Sequence, residues 1–211
     1  MSDHIPHYHF EHLTDYAPDA LQQIQAIYDV SFPVNERKPF HYITQGLANG
    51  QYTVFIMRKE TGIIVAFALM RALPTSQAMY IEYLAVMPER RSRGIGSKMV
   101  RAIIDRLKPT NSALIWEVDP PENGNDDNTR RIVFYERLGA SLIEQSKNYG
   151  MPNYWTGTGI ISFRLMWLPL QHDHPQPTYT ELVTLITDIY SIEYPNHETQ
   201  RDEIIASLDK K

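Results

Sequence analysis

The sequence predicts an α/β (α+β) domain, a mixed central sheet flanked by helices, with a C-terminal helical extension. Three observations predict it. Apolar runs of strand length alternate with stripes of helical period through residues 1–170. A basic, glycine-bearing turn at residues 91–96 joins one such run to one such stripe. Beyond the proline-bearing stretch 171–177, two amphipathic patterns fill the chain to residue 211. The expected division is a domain of residues 1–170 and a two-helix extension of residues 171–211.

Tyr8, Phe10 and Leu13 mark a short first strand. Residues 18–31 read as a helix with Leu21, Ile24 and Tyr28 on one stripe and Pro18 tolerated in its first turn. Residues 36–47 read as a second helix, ended by Asn49-Gly50. Two strands, 52–58 and 63–73, flank a turn at Thr61-Gly62. A further strand spans 79–86. The helix after the glycine turn, 94–108, sets Ile95, Met99, Ile103 and Leu107 on one face and stops at Pro109. A strand at 114–118, a helix at 128–138 and strands at 141–144 and 160–167 complete the domain. In the extension, Thr178 and Glu181 spell a capping box for a helix whose Leu182, Leu185, Ile186 and Ile189 form one stripe. Residues 196–208 form the last helix, with Ile204, Ile205 and Leu208 turned inward. The short connection favours packing on the same chain, bordering the acceptor site. A homodimer interface is the other place that would bury these stripes.

The turn carries the chemistry. Arg91-Ser92-Arg93-Gly94-Ile95-Gly96-Ser97 leads from an apolar run into a helix. Gly94 and Gly96 remove side chains that would hold an anion away from the backbone. The first helical turn leaves N–H groups without intrahelical partners, at the positive end of the dipole. Arg90, Arg91, Arg93, Lys98 and Arg101 add cationic charge to a chain of net charge −5. A basic knot on an acidic chain suits one phosphate ligand better than a nucleic acid. Neither G-x-x-x-x-G-K-S/T nor G-x-G-x-x-G with a later acid is present, so the P-loop and the dinucleotide fingerprint are set aside.

The stretch resembles the acetyl-CoA-binding motif of the GCN5-related N-acetyltransferase (GNAT) superfamily, Q/R-x-x-G-x-G/A. Arg91, Gly94 and Gly96 stand at its three defined positions, after Tyr83-Leu84-Ala85-Val86-Met87-Pro88. A second block is similar to the later GNAT pattern. Leu114-Ile115-Trp116-Glu117-Val118 is followed by Asn128, by Tyr135 and by Leu138-Gly139-Ala140. Arg131 departs from the family's usual alanine, and the loop 119–127 is longer than usual.

The resemblance implies a GNAT-type sheet whose two central parallel strands splay apart, with acetyl-CoA as cosubstrate. The pantetheine arm would lie against Leu84, Ala85 and Val86, and the pyrophosphate on the N–H groups of residues 91–97. Asn128 would touch the CoA arm, or simply cap its helix. Tyr135 would protonate the leaving thiolate; as a bare helical residue it would be a packing tyrosine. Glu82 and Glu117 are equal candidates for the general base that deprotonates the amine. Either would also serve as a counter-charge to an ammonium or an arginine. The activity implied is acetyl transfer to a primary amine of a small molecule or an amino terminus by direct attack. A non-catalytic CoA-binding sensor or interaction module is the alternative.

Acceptor recognition is less marked. Phe32 and Glu36 lie between the first two helices, and Tyr154 and Trp155 in an aromatic, glycine-broken loop. Glu36 would hold an ammonium or cap a helix, and the aromatics would meet a cation or anchor the loop. His4, His7, His9 and His12 lack accompanying carboxylates and are read as solvated or satisfied, as are His172 and His174, so no metal site is assigned. The chain has no cysteine, which excludes thiolate chemistry. No apolar stretch reaches membrane-span length, and the first residues lack a signal-peptide pattern. A cytoplasmic protein without membrane or nucleic-acid partners is the expectation.

Overall fold

The computed structural model describes residues 8–34, 37–121, 126–153, 159–171 and 174–208. Its contacts group into two compact units, Met1–Arg71 with Ile81–Arg106, and Ala72–Tyr80 with Leu107–Lys211. Hydrogen-bonded strand neighbours run in the order β1-β2-β3-β4-β5-β9-β6. Here β1 is Tyr8–Leu13, β2 Thr53–Lys59, β3 Ile64–Leu73, β4 Ala78–Val86, β5 Ala113–Val118, β6 Ser141–Leu142 and β9 Arg164–Pro169. The mixed sheet with helices is the predicted α/β class.

In the first unit, β1 pairs antiparallel with β2 from Tyr8↔Lys59 to Leu13↔Val54. The β2–β3 pairing is antiparallel with a register shift at Met57/Arg58. Residues 64–70 of β3 are all buried, so both faces of that strand are covered. Helices α1, Pro18–Ser31, and α2, Phe40–Ala48, cover the face that carries Phe67 and Leu69. Ile24, Ile27, Tyr28, Ile43 and Leu47 form one core with Val54, Ile56, Phe67, Tyr83 and Ala85. Helix α3, Ile95–Leu107, buries Ile95, Met99, Ile103 and Leu107, the stripe seen in the sequence, together with Val100.

In the second unit, Met79 and Tyr80 of β4 pair in parallel with Leu114 and Ile115 of β5. Strand β9 pairs antiparallel with β5 along Ala113↔Pro169 to Val118↔Arg164, and with β6 on its other side. Helix α4 is Asp126–Glu136, α5 Tyr179–Glu193 and α6 Glu198–Ala206. Leu182, Leu185, Ile186 and Ile189 of α5 share a core with Ala113, Ile115, Leu165 and Trp167. The capping box of Thr178 and Glu181 opens α5. Farther along α5, the buried Asp188 carboxylate accepts from Thr75 N at 3.1 Å, Ser76 N at 2.9 Å and Ser76 Oγ at 2.9 Å.

Four local expectations shift. Helix α4 starts at Asp126, which puts Asn128 inside its first turn and not at its cap. Residues 141–144 shorten to the two-residue β6, followed by a 3₁₀ turn at Glu144–Asn148. The run 160–167 divides into β8, Ile160–Ser162, and β9, because the chain changes partner at Phe163. Strand β8 pairs with β7, Gly150–Pro152, which the glycine and proline had marked as loop. A Cβ on Gly150 would lie 2.3 Å from the Ile161 carbonyl oxygen, so glycine is what lets the two backbones close.

Candidate active site

The first unit holds the glycine turn and the C-terminal part of β4. After β4 the chain makes a 3₁₀ turn at Pro88–Arg90 and passes two left-handed residues, Ser92 at φ 60° and Gly94 at φ 74°. Left-handed residues are one ingredient of the backbone turns that bind anions. The first helical bond of α3 runs from Lys98 N to Gly94 O, 3.0 Å. The N–H groups before it are free of intrahelical partners by geometry. Arg91 is an anchor, since its Nε donates to Val86 O at 3.1 Å and its Nη2 to Ser31 Oγ at 3.0 Å. Ser92, Arg93 and Lys98 are exposed, Ile95 is buried, and Gly96 and Ser97 are half-buried.

Along β4, Glu82, Leu84 and Val86 are half-buried and alternate with buried Ile81, Tyr83 and Ala85. The Glu82 side chain is only 5% exposed, and its Oε1 lies 2.9 Å from Lys38 Nζ. Lys38 is held from both ends of its backbone. Its N–H donates to Tyr83 Oη at 3.2 Å, and its carbonyl accepts from Tyr28 Oη at 2.9 Å. Phe32 completes this aromatic group, 5.5 Å from the Tyr28 ring and 4.9 Å from the Tyr83 ring. Burial pushes the Tyr28 phenol up to about 12; Tyr83 is pushed up by burial and by the Glu82 charge. Glu36 lies outside the described residues.

The second unit holds the L-x-x-E-V strand and α4. Glu117 accepts from three phenols: Tyr80 Oη at 3.0 Å, Tyr194 Oη at 3.0 Å from each carboxylate oxygen, and Tyr149 Oη. Burial holds the Glu117 carboxyl above its ordinary value; the three phenols oppose this, and the charge of Glu193 adds to it. Tyr135 is buried, its ring 4.6 Å from that of Trp116 and 5.0 Å from that of Phe134. Burial pushes its phenol up to about 12, against the pull of Arg131. Asn128 Nδ2 donates to Pro120 O at 3.4 Å, and Arg131 pairs with Asp119 at 2.7 Å. The arginine at the family's alanine position thus ties α4 to the chain after β5. Tyr154 and Trp155 lie outside the described residues.

The family model described as Acetyltransferase (GNAT) family matches residues 21–140, more than half of the chain. The chain belongs to the GNAT acetyltransferase family. Acetyl-CoA is the cosubstrate of that family. Among curated proteins, this GNAT chain is 30% identical over 59 residues to YjbC of Bacillus subtilis (strain 168). The match takes in 28% of this chain and 29% of YjbC, so the chain spans under a third of that relative. Among solved structures, a GNAT-family protein of Bacteroides thetaiotaomicron superposes with TM-score 0.70 at 21% identity, over 88% of this chain and 98% of that one. The ribosomal-protein-S18-alanine N-acetyltransferase of Escherichia coli gives 0.58 at 20% identity, over 80% and 97%. Arabidopsis thaliana NAA60, solved with acetyl-CoA, gives 0.58 at 13% identity, over 79% and 100%. At these identities the likeness is one of fold.

Sequence reasoning missed Lys38, Tyr80, Tyr149 and Tyr194. Lys38 and Glu82 are 44 positions apart, and nothing local marks them as a pair. Tyr149 stands in the aromatic, glycine-broken loop, whose aromatics the sequence left open between a ligand contact and a loop anchor; its hydroxyl is committed to Glu117. No described helix is long and apolar enough to cross a membrane. Among the described residues no group of three or more His, Cys, Asp or Glu is arranged to hold a metal ion.

Proposed function

We propose that this chain transfers the acetyl group of acetyl-CoA to a primary amine, on a small molecule or an amino terminus, by direct attack. The observation that carries the reading is the left-handed turn at Ser92 and Gly94 opening α3 directly after β4. In this reading the pyrophosphate takes the N–H groups of residues 91–97, and the pantetheine arm follows Leu84, Ala85 and Val86. Asn128 contributes to holding the CoA arm.

The chemistry is balanced by three groups. The amine nitrogen attacks the thioester carbon, the N–C bond forms and the C–S bond breaks. Glu82 takes the proton of the acceptor ammonium. It is preferred to Glu117 because an ammonium, that of Lys38, already reaches it. Glu117 has about four lone-pair sites, and three phenols draw on them. Tyr135 serves the departing sulfur. With its phenol near 12 and a thiol near about 8.5, outright proton transfer would be uphill. The phenol therefore stays protonated and stabilises the departing sulfur as a hydrogen-bond donor, while the sulfur takes the second amine proton and leaves as the thiol.

A non-catalytic CoA-binding module is the second reading, and one observation favours it: both candidate bases are already engaged. A panel of amines with acetyl-CoA, read by thiol release, tests the first reading. Calorimetry with CoA runs beside it. Thiol release that depends on an added amine supports the enzyme. Tight CoA binding with no release for any amine, amino-terminal peptides included, transfers the case to the module.

A further inference from the structure

We propose that Lys38 is itself an acetyl acceptor, modified within its own chain when no external amine is present. The inference rests on the acetyltransferase reading above and adds a modification site to it. Lys38 Nζ stands 2.9 Å from Glu82 Oε1, where an acceptor ammonium would hand over its proton. The backbone on either side of that amine is fixed by Tyr28 and Tyr83, so the side chain is presented and not left to swing from a free loop. Its side chain is 33% exposed, open enough for a reagent to reach.

Reach is the second argument. Glu82 precedes Leu84 by two strand positions on the same face, about 7 Å along β4. That is comparable to the length of a lysine side chain. An amine paired with Glu82 is thus within one side-chain length of the backbone assigned to the pantetheine arm. Lys38, Glu82, Leu84 and the glycine turn all belong to the first unit.

The step is an ordinary aminolysis. The Lys38 ammonium gives its proton to Glu82, the neutral nitrogen attacks the thioester of acetyl-CoA, the C–S bond breaks, and CoA leaves as the thiol. The product amide carries no charge, so Glu82 loses its resident cation. Once Glu82 has passed that proton to solvent, an external ammonium takes the place of the Lys38 cation, and acetylation of Lys38 opens the acceptor position.

The test is intact-mass and peptide mass spectrometry of the whole chain incubated with acetyl-CoA and no amine. We expect one acetyl group, on Lys38, in at least tenfold excess over the exposed Lys98, Lys108 and Lys147. Its rate should be independent of protein concentration and should saturate with acetyl-CoA. Lys38→Arg, which keeps the charge, should lose that acetyl group. Glu82→Gln should slow its appearance by roughly 10²-fold, the low end for a general base. If acetyl-CoA binds by calorimetry, yet Lys38 is acetylated no faster than the exposed lysines, this proposal falls and the acetyltransferase reading stands. If acetyl-CoA does not bind, both fall.

Discussion

Burial acts on Tyr135 and Glu117 in the same sense, favouring the neutral form of each, with opposite consequences. For the phenol the neutral form is the working form. Tyr135→Phe keeps the ring against Trp116 and removes only the hydroxyl. Turnover should fall by roughly 10²–10³-fold, the range for one lost hydrogen-bond donor to a developing anion, while acetyl-CoA affinity barely moves. Steady-state rates with the identified acceptor, paired with calorimetry, check this; near-normal turnover would reduce Tyr135 to a packing residue. For Glu117 the raised carboxyl is a statement about stability. Between the unfolded value of about 4.3 and the raised folded value, the native state binds more protons than the unfolded chain. The Glu117 contribution to stability is therefore fully present below the unfolded value and is lost as pH rises through the folded one. Glu117→Gln removes that loss. The difference in Tm, variant minus parent, should become more positive from pH 4 to pH 7. A difference that shrinks over that interval would mean the three phenols outweigh burial.

At the scale of elements, the turn into α3 and the turn at residues 74–77 between β3 and β4, the hairpin held by α5 through Asp188, show two kinds of legibility. The turn is local. Its arginine, its glycines and the helix that follows lie within a few residues, so the anion cradle could be read from the sequence. What could not be read is that Arg91 is an anchor, because its partners, Val86 O and Ser31 Oγ, are set by the fold. A Cβ at Gly94 meets nothing within 4 Å, so a side chain fits there in the free protein. The backbone is at φ 74°, and a non-glycine residue there is strained by about 1–2 kcal/mol. The double substitution Gly94→Asp with Gly96→Asp should therefore still fold, with a modestly lower Tm. It should lose CoA binding through bulk and like charge, and unchanged affinity by calorimetry would sink the cradle. The hairpin contact is the non-local case. Asp188 and Ser76 are 112 positions apart, and an aspartate within an amphipathic helix gives no sign of its partner. Asp188→Ala leaves two backbone N–H groups and a hydroxyl without their acceptor. Thr75 is exposed and Ser76 half-buried, so each lost bond is worth about 0.5–1.5 kcal/mol and not a full burial penalty. Urea titration should show a midpoint drop in that direction, and an unchanged midpoint would mean that water replaces the carboxylate.

For the whole molecule, the order of elements was legible because each was marked by its own period or cap: the stripe of α3, the capping box of α5, the continuous apolar run of β3. The division of residues 160–167 at Phe163 was not, since a change of pairing partner leaves no local trace. The candidate site divides the same way. Gly94, Asn128 and Tyr135 came from the resemblance to the family's two motifs, while Lys38 and the tyrosines around Glu117 came only from the fold. Tyr194 has the widest bearing, because it brings the end of α5 to a residue of β5. The extension is thus bound into its unit by a polar contact at Glu117 and by an apolar one. Leu182, Leu185, Ile186 and Ile189 are each no more than 1% exposed, in one core with Ile115, Leu165 and Trp167. Burial of each such side chain contributes about 1.5–3 kcal/mol, against a total stability of about 5–15 kcal/mol for a typical domain. Deleting residues 178–211 removes all four and uncovers what they cover. The truncated chain should be recovered poorly or melt markedly lower than the parent in a thermal scan. A truncated chain that stays in solution and melts where the parent does would show the extension to be detachable. If it also acetylated the identified acceptor at the parental rate, Tyr194 would have no part in the reaction through Glu117.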